Sequence, residues 1–205
     1  MQAKLKNLFF GLREVIDQQI LEEKCLAIQD IACNELDLVI YRDFWPEILN
    51  SQFSLKQPFL DVMTLKDANK VCENILQIPF DWISPETSDD PHYIALSNQK
   101  VLVELLGPEG IIKSEKIRLG LYGILPNTEY GIRTHPAEEI FIMLAGQAEW
   151  LCGKNSYKIK NSGDYSYHPA SIPHATRTRH LAFMSVYIWS GEISIDGYRY
   201  LGSKD

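Results

Sequence analysis

The sequence lacks a long apolar run, a paired cysteine motif and a cluster of basic residues, and each absence excludes a class of protein. None of its apolar segments approaches the roughly 20 residues that a membrane-spanning helix requires. The four cysteines are scattered, and no two form the CxxC spacing of a zinc site or a redox pair. We therefore interpret them as reduced thiols, expect no contact with a membrane, and predict a cytoplasmic protein.

Positive charge is also scarce in one part of the chain. The net charge is -7, and the first 90 residues carry eight Lys/Arg against sixteen Asp/Glu, whereas residues 91–205 carry twelve against eleven. A phosphate backbone is bound by clustered Lys and Arg, so this distribution argues against nucleic acid as a partner. The 45% hydrophobic and 23% charged residues are the proportions of an ordinary folded domain.

The first part of the chain has helical periodicity. Leu8, Leu12 and Ile20 belong to a series of apolar residues spaced by three or four positions, the period of one buried helix face. The segment 64–67 resembles a capping box and predicts that another helix begins there. A polar segment with bracketing prolines, residues 84–91, then marks the best candidate boundary.

After this boundary the periodicity becomes strand-like. Short β-type runs are separated by turn residues and span 100–106, 117–125, 139–145, 148–152, 157–159 and 183–189. Many short strands at regular spacing predict an all-β sandwich or barrel. We therefore predict a helical N-terminal segment at residues 1–84 and a β-barrel domain at residues 92–205.

Two histidines and one glutamate form the candidate site for chemistry. His135 precedes Glu139 by four residues, and His174 follows in a second segment rich in turn residues. Alternation along a strand places Glu139, Phe141 and Met143 on one face. A carboxylate on an inward face needs a partner to offset the cost of burial, and a divalent metal is the obvious one. Two imidazoles and one carboxylate would leave coordination positions open, as a catalytic metal site requires.

The spacing of these residues resembles that of the cupin superfamily. The pattern His-x3-Glu-x6-Gly at 135–146 is similar to the first cupin motif, and Gly-x5-Pro-x4-His at 163–174 is similar to the second. The resemblance implies a jelly-roll β-barrel with a metal in its mouth. The expected fold class is therefore mainly β, with a single cupin jelly-roll β-barrel preceded by a helical N-terminal segment.

Several further segments narrow the resemblance to the bacterial cupin-type dimethylsulfoniopropionate (DMSP) lyases, over about residues 95–193. The segments are 119–130, 137–139, 145–150, 168–174 and 187–191. Members of that family cleave DMSP to dimethyl sulfide and acrylate with one divalent metal, variously described as zinc, iron or manganese. The resemblance implies that His135, Glu139 and His174 are metal ligands. It also implies that Tyr130 is the proton-abstracting base and that Trp189 lies at the substrate pocket.

Two positions depart from these patterns. Arg133 stands where cupins carry a histidine; its guanidinium cannot ligate a metal but can hold a substrate carboxylate through two hydrogen bonds. Phe141 stands where the lyases usually place a tyrosine, so we expect DMSP cleavage to be slow or absent. The ring faces of Phe141 and Trp189 would suit a sulfonium cation.

Other functions remain compatible with the same donor set. Two histidines and a carboxylate are also the ligands of non-haem iron oxygenases, and cupins include isomerases and proteins that bind a small carboxylate without turnover. In each case we expect a small-molecule carboxylate as partner, and pairing of two barrels into a homodimer is left open. His168 precedes a proline in a turn, and we interpret it as structural or exposed.

Overall fold

The structure, a computed structural model, describes residues 1–43, 45, 46, 48 and 54–203. Helices dominate the first part of these residues. They are α1 (Gln2–Asp17), α2 (Leu26–Ile40), α3 (Gln57–Met63), α4 (Val71–Leu76) and α5 (Pro91–Ser97), with short 3-10 turns at Glu23–Cys25 and Ile195–Gly197. No helix in this described part is long and apolar enough to cross a membrane.

Strands occupy most of the remainder and join into one ten-stranded sheet among the described residues. They are β1 (Lys100–Gly107), β2 (Ile112–Lys113), β3 (Ile117–Ile124), β4 (Glu129–Thr134), β5 (Glu138–Cys152), β6 (Lys158–Asn161), β7 (Tyr165–His168), β8 (His174–Arg177), β9 (Phe183–Ser190) and β10 (Arg199–Gly202). The main path runs β10-β4-β8-β5-β9-β3-β1-β2, and β6 and β7 also pair with β5.

Strand β5 folds this sheet over on itself. Its first half pairs with β9 and β7, and its second half pairs with β6 and β8. The register shifts between Met143 and Ala145, and Gly146 has a φ of 75°. A Cβ at Gly146 would lie 2.0 Å from the carbonyl oxygen of Ala182, so only glycine fits this bend. The expected mainly β jelly-roll fold is confirmed, as a folded sheet with open edges at β2 and β10.

Three details of the sequence-based prediction were wrong. The helix expected to begin at 64–67 begins at Val71, because Thr64 ends α3 and its hydroxyl donates backwards to the carbonyl of Leu60 at 2.9 Å. Helix α1 ends at Asp17, which leaves Ile20 exposed. The two runs at 139–145 and 148–152 form the single strand β5, since the bend at Gly146 redirects pairing without ending it.

Two buried clusters lie on opposite faces of the sheet. The aliphatic cluster packs the helices against the outer face and includes Leu5, Leu12, Leu36, Phe59, Ile140, Ile142, Leu144 and Val186. The aromatic cluster lies inside the fold and includes Tyr93, Tyr122, Tyr130, Phe141, Met143, Trp150, Tyr187, Trp189 and Tyr198. Strand β5 contributes alternate side chains to the two clusters, as its alternation predicts. The division into residues 1–84 and 92–205 stays a prediction.

Candidate metal centre and active site

The three predicted ligands meet at one point inside the folded sheet. His135 follows β4, Glu139 lies in β5 and His174 begins β8; β8 pairs with both β4 and β5. Their exposed fractions are 2%, 3% and 1%, and one donor atom from each lies within 4.8 Å of the others. The sequence motifs and the strand pairing therefore lead to the same three side chains, which can hold a metal ion.

Hydrogen bonds determine which imidazole nitrogen faces this point. Nδ1 of His135 lies 3.1 Å from the carbonyl oxygen of Ala137, and Nδ1 of His174 lies 2.9 Å from that of Ile172. A carbonyl only accepts, so each Nδ1 is the donor, and in the neutral ring Nε2 then carries a lone pair. The pKa of His174 is lowered to about 3, mainly by burial and also by the charge of Arg133, which keeps this ring neutral.

The two Nε2 atoms have no hydrogen-bond partner among the described residues, yet they point at a carboxylate. They lie 3.4 Å (His135) and 3.2 Å (His174) from Oε2 of Glu139. Lone pairs facing an ionised carboxylate repel each other unless a cation lies between them. The donor set therefore fits a divalent metal.

Two further side chains hold the carboxylate of Glu139. The indole Nε1 of Trp189 donates to Oε1 at 2.5 Å, and Nδ1 of His168 lies 3.1 Å from Oε2. The Trp189 ring stacks on His135 with centroids 4.0 Å apart, and the His168 ring stacks on His174 at 4.3 Å. Trp189 thus contacts the centre directly, in addition to lining the pocket.

The interpretation of His168 as structural or exposed therefore missed its place in the site. It is fully buried, and its Nε2 is hydrogen-bonded to the hydroxyl of Ser166 at 2.9 Å. Cross-strand pairing places it opposite Glu139 in the β5–β7 ladder. Only the register of that ladder reveals the contact, and β7 was not among the predicted strands.

A cavity of about 910 Å³ opens beside the donor set. Its inner wall is aromatic and consists of Tyr122, Tyr130, Phe141, Tyr187, Trp189 and Tyr198, with Arg133 and Glu139 beside these rings. Its outer wall includes apolar side chains such as Phe80, Ile83, Leu102 and Ile111. A cavity with apolar walls and a few convergent polar groups is the usual form of a small-molecule site.

Arg133 is a buried cation on this wall. Its guanidinium donates to the carbonyl of Tyr130 and to the hydroxyl of Thr176, both at 3.3 Å, and lies 4.0 Å from the centroid of the Tyr130 ring. No ion pair joins it to a carboxylate of any residue that the structure describes. A buried cation without a counter-ion is costly, so its free donors favour an anionic ligand in the cavity.

Tyr130, the candidate base, and Phe141, which stands where a tyrosine was expected, lie on the same wall of the cavity. Burial raises the pKa of Tyr130 well above its usual range, which opposes a role as base, while the charge of Arg133 acts in the other direction. The hydroxyl of Tyr130 lies 2.6 Å from that of Tyr198. Phe141 packs between Tyr122 and Trp150, so the wall has no hydroxyl at that position.

Comparison with known proteins agrees with this architecture. The sequence profile of the dimethylsulfoniopropionate lyase family matches residues 59–184, which is more than half of the chain. The chain belongs to this family. The lyase DddQ of Ruegeria pomeroyi is 35% identical over 89 residues, which are 43% of this chain and 44% of DddQ. The aligned stretch thus spans less than half of that curated relative.

Solved structures of the family extend the similarity to the whole fold. The crystal structure of DddQ from Ruegeria pomeroyi superposes with a TM-score of 0.69 at 18% identity, over 98% of this chain and 97% of that one. A structure described as that of the DMSP lyases RdDddP and RnDddQII gives 0.65 at 19% identity, over 98% of both chains. The helices and the folded sheet therefore share one architecture with these DMSP lyases.

Proposed function

We propose that this protein is a metal-dependent lyase that cleaves DMSP by β-elimination to dimethyl sulfide and acrylate. The observation that carries the proposal is the buried donor set of His135, Glu139 and His174, which opens into an aromatic cavity beside a guanidinium that forms no ion pair with any described residue. Membership of the DMSP lyase family and the named activity of DddQ support it.

The proposed ligands of the metal are Nε2 of His135, Nε2 of His174 and the carboxylate of Glu139. Zinc, iron and manganese all accept imidazole and carboxylate ligands, so the donor set admits each of them. When bound, such an ion supplies positive charge that stabilises the negative charge developing on the substrate. The hydrogen bonds from Trp189 and His168 would fix the orientation of the Glu139 carboxylate.

The remaining roles follow from the cavity wall. Arg133 would bind the substrate carboxylate, because its free donors face a space without a counter-ion. Trp189 and Phe141 would bind the sulfonium group through their ring faces. The cationic group leaves as a neutral sulfide, which loses this attraction and is released.

Tyr130 would take the proton from the carbon next to the substrate carboxylate. The electrons of that C–H bond form the C=C bond of acrylate, and the electrons of the breaking C–S bond leave with sulfur. Burial raises the pKa of Tyr130, so nearby positive charge is needed for this role. Among the described residues, Arg133 is the nearest such group, 4.0 Å from the ring centroid of Tyr130. The cytoplasmic location remains a prediction from the sequence.

The direct test is metal analysis of the purified protein together with headspace detection of dimethyl sulfide. We expect about one divalent ion per chain, and release of dimethyl sulfide and acrylate in equal amounts that stops when the metal is removed. Bound iron that consumes oxygen with a small carboxylate would instead indicate an oxygenase. Ligand binding without any turnover would indicate a sensor or storage protein, and either result would overturn the proposal.

A further inference from the structure

Tyr198 carries no motif in the sequence, yet the structure places it in the cavity wall beside Tyr130. It follows the 3-10 turn Ile195–Gly197, is 7% exposed, and its hydroxyl lies 2.6 Å from the hydroxyl of Tyr130. A hydroxyl pair at this distance forms a hydrogen bond in which one phenol donates to the other.

The turn before Tyr198 is built onto the loop of a proposed ligand. A Cβ at Gly197 would lie 2.4 Å from Cγ of Pro136, so this position must be glycine for the turn to pack against the residue after His135. The backbone N–H of Tyr198 donates to the carbonyl of Ile195 at 3.0 Å, and Arg199 donates to the carbonyl of Tyr198 at 2.8 Å. Tyr198 is therefore held in place by local packing, independently of any ligand.

The charged groups that face Tyr130 are cations. The Arg133 guanidinium lies 4.0 Å and the Lys100 ammonium 4.5 Å from its ring centroid, and no carboxylate among the described residues is hydrogen-bonded to its hydroxyl. Burial lowers the pKa of Lys100 to about 8, so Arg133 is the cation that persists in alkaline solution. These two cations therefore favour negative charge on Tyr130.

Neutral hydroxyl groups complete the surroundings. The ring of Tyr93 from α5 and the ring of Tyr122 from β3 pack against Tyr130, and the hydroxyl of Thr87 lies 3.5 Å from its oxygen. Burial raises the pKa of both phenols of the pair, that of Tyr198 to about 12, and the charge of Arg133 acts against this in both. The group nearest to the Tyr130 oxygen is a second phenol, whose hydroxyl can donate a hydrogen bond to it.

We propose that Tyr198 is a positioning residue that donates its hydroxyl to the Tyr130 phenolate, the oxygen that accepts the proton from the substrate. This inference rests on the proposed function. In the step, the proton moves from the carbon to the Tyr130 oxygen, the C–H electron pair becomes the C=C bond, and the C–S pair leaves with the sulfide. Tyr198 keeps its own proton throughout. Phe141 has no hydroxyl group. Tyr198, from the C-terminal part of the chain, therefore supplies the second phenol of the site.

The first test compares Tyr198→Phe with Tyr200→Phe in the metal-loaded protein. A hydrogen bond to a charged group stabilises it enough to predict a fall of about 10- to 100-fold in kcat for Tyr198→Phe, with KM changed less than about threefold. The pH at which activity rises should also move upwards. Tyr200, a neighbouring tyrosine with no contact to the Tyr130 hydroxyl, should leave kcat within about twofold. An unchanged kcat and pH profile in Tyr198→Phe would overturn the proposal.

A double-mutant cycle separates a shared role from general damage. If Tyr198 acts only through Tyr130, the variant carrying both Tyr130→Phe and Tyr198→Phe should be no slower than Tyr130→Phe alone. If the double variant instead lowers kcat by the product of the two single-variant factors, Tyr198 acts independently of Tyr130. Tyr198→His, which retains a ring N–H donor, should recover part of the lost kcat, and no recovery in a folded protein would count against the hydrogen bond.

An optical titration tests the pair without any substrate. The ultraviolet difference spectrum between the parent protein and Tyr130→Phe reports the ionisation of Tyr130, and this ionisation should move to higher pH in Tyr198→Phe. An unmoved ionisation would reject the pairing even if DMSP is cleaved. If DMSP is not cleaved but the ionisation moves, the hydrogen bond stands and the proposed substrate fails.

Discussion

The two faces of strand β5 have different roles: one stabilises the fold, and the other forms part of the candidate site. Its outward side chains, Ile140, Ile142 and Leu144, belong to the aliphatic cluster, where burial of apolar area stabilises the fold. Its inward side chains include Glu139 and Phe141, which face the cavity. One strand thus supplies both the packing between sheet and helices and the wall of the candidate site.

The clusters differ most in how their buried polar groups are satisfied. Near the aliphatic cluster, the buried amide of Gln29 donates to the carbonyl oxygen of Ile16 at 2.5 Å. On the aromatic side, Nε2 of His135 and of His174, the hydroxyl of Tyr122 and the indole N–H of Trp150 have no partner among the described residues; the aliphatic cluster has one such group, the indole N–H of Trp45. Unsatisfied buried groups are costly, so their concentration on one face indicates where a ligand or metal belongs.

The largest expected difference between the two faces, a loss of metal binding with the fold retained, should come from His174→Ala. Removing one of three proposed ligands should lower bound metal from about one ion per chain to near none, while the fold is kept because the aliphatic cluster is untouched. Metal analysis and circular dichroism check the two halves of this expectation. An unfolded His174→Ala protein would instead mean that the metal is structural.

The opposite result, a loss of stability with metal binding retained, is expected from Ile140→Ala, one residue along β5 from Glu139. Truncating a fully buried isoleucine should lower the free energy of unfolding by about 2–5 kcal/mol and leave metal bound in the folded fraction. Denaturant titration measures this loss. Ile159→Ala on β6, where the side chain is 58% exposed, is the control and should change stability by less than about 0.5 kcal/mol. Equal losses in the two variants would contradict the division into clusters.

A smaller effect is expected from Trp189→Phe. This change retains an aromatic ring against His135 but removes the N–H that donates to Glu139, so metal affinity should fall by about 10- to 100-fold. Competition with a chelator measures the affinity. Trp150→Phe also removes a buried indole N–H, but one without a partner, and should leave metal affinity unchanged. Similar affinities in both variants would show that the hydrogen bond to Glu139 is unimportant.

The smallest expected change comes from Phe141→Tyr. It adds a hydroxyl to the cavity wall where the lyases that the sequence resembles usually have one, and DMSP cleavage should rise by up to about 10-fold, which is less than the roughly 10²- to 10⁴-fold that a fully positioned acid–base group contributes. Release of dimethyl sulfide under matched metal loading measures the rate. No turnover in either the parent or Phe141→Tyr would point to another substrate for the same donor set.

Local patterns were sufficient for part of this site. Alternation along β5 predicted that Glu139 and Phe141 face inwards, and motif spacing identified His135 and His174 before any strand pairing was known. The same reasoning failed for His168, whose spacing resembles no ligand pattern. Its role depends on lying opposite Glu139 across the β5–β7 ladder, and single-strand periodicity carries no information about register between strands.

The sequence by itself determined the change from a helical first part to a strand-rich second part, the three candidate ligands and the two departures at Arg133 and Phe141, because these are properties of residues a few positions apart. Only the tertiary structure decided that Trp189 holds the Glu139 carboxylate and that Tyr198 meets Tyr130, 68 residues away. Such contacts depend on how distant strands pair and on where a turn packs. Burial then decides their chemistry, since the same side chains in water would neither shift in pKa nor require one another as partners.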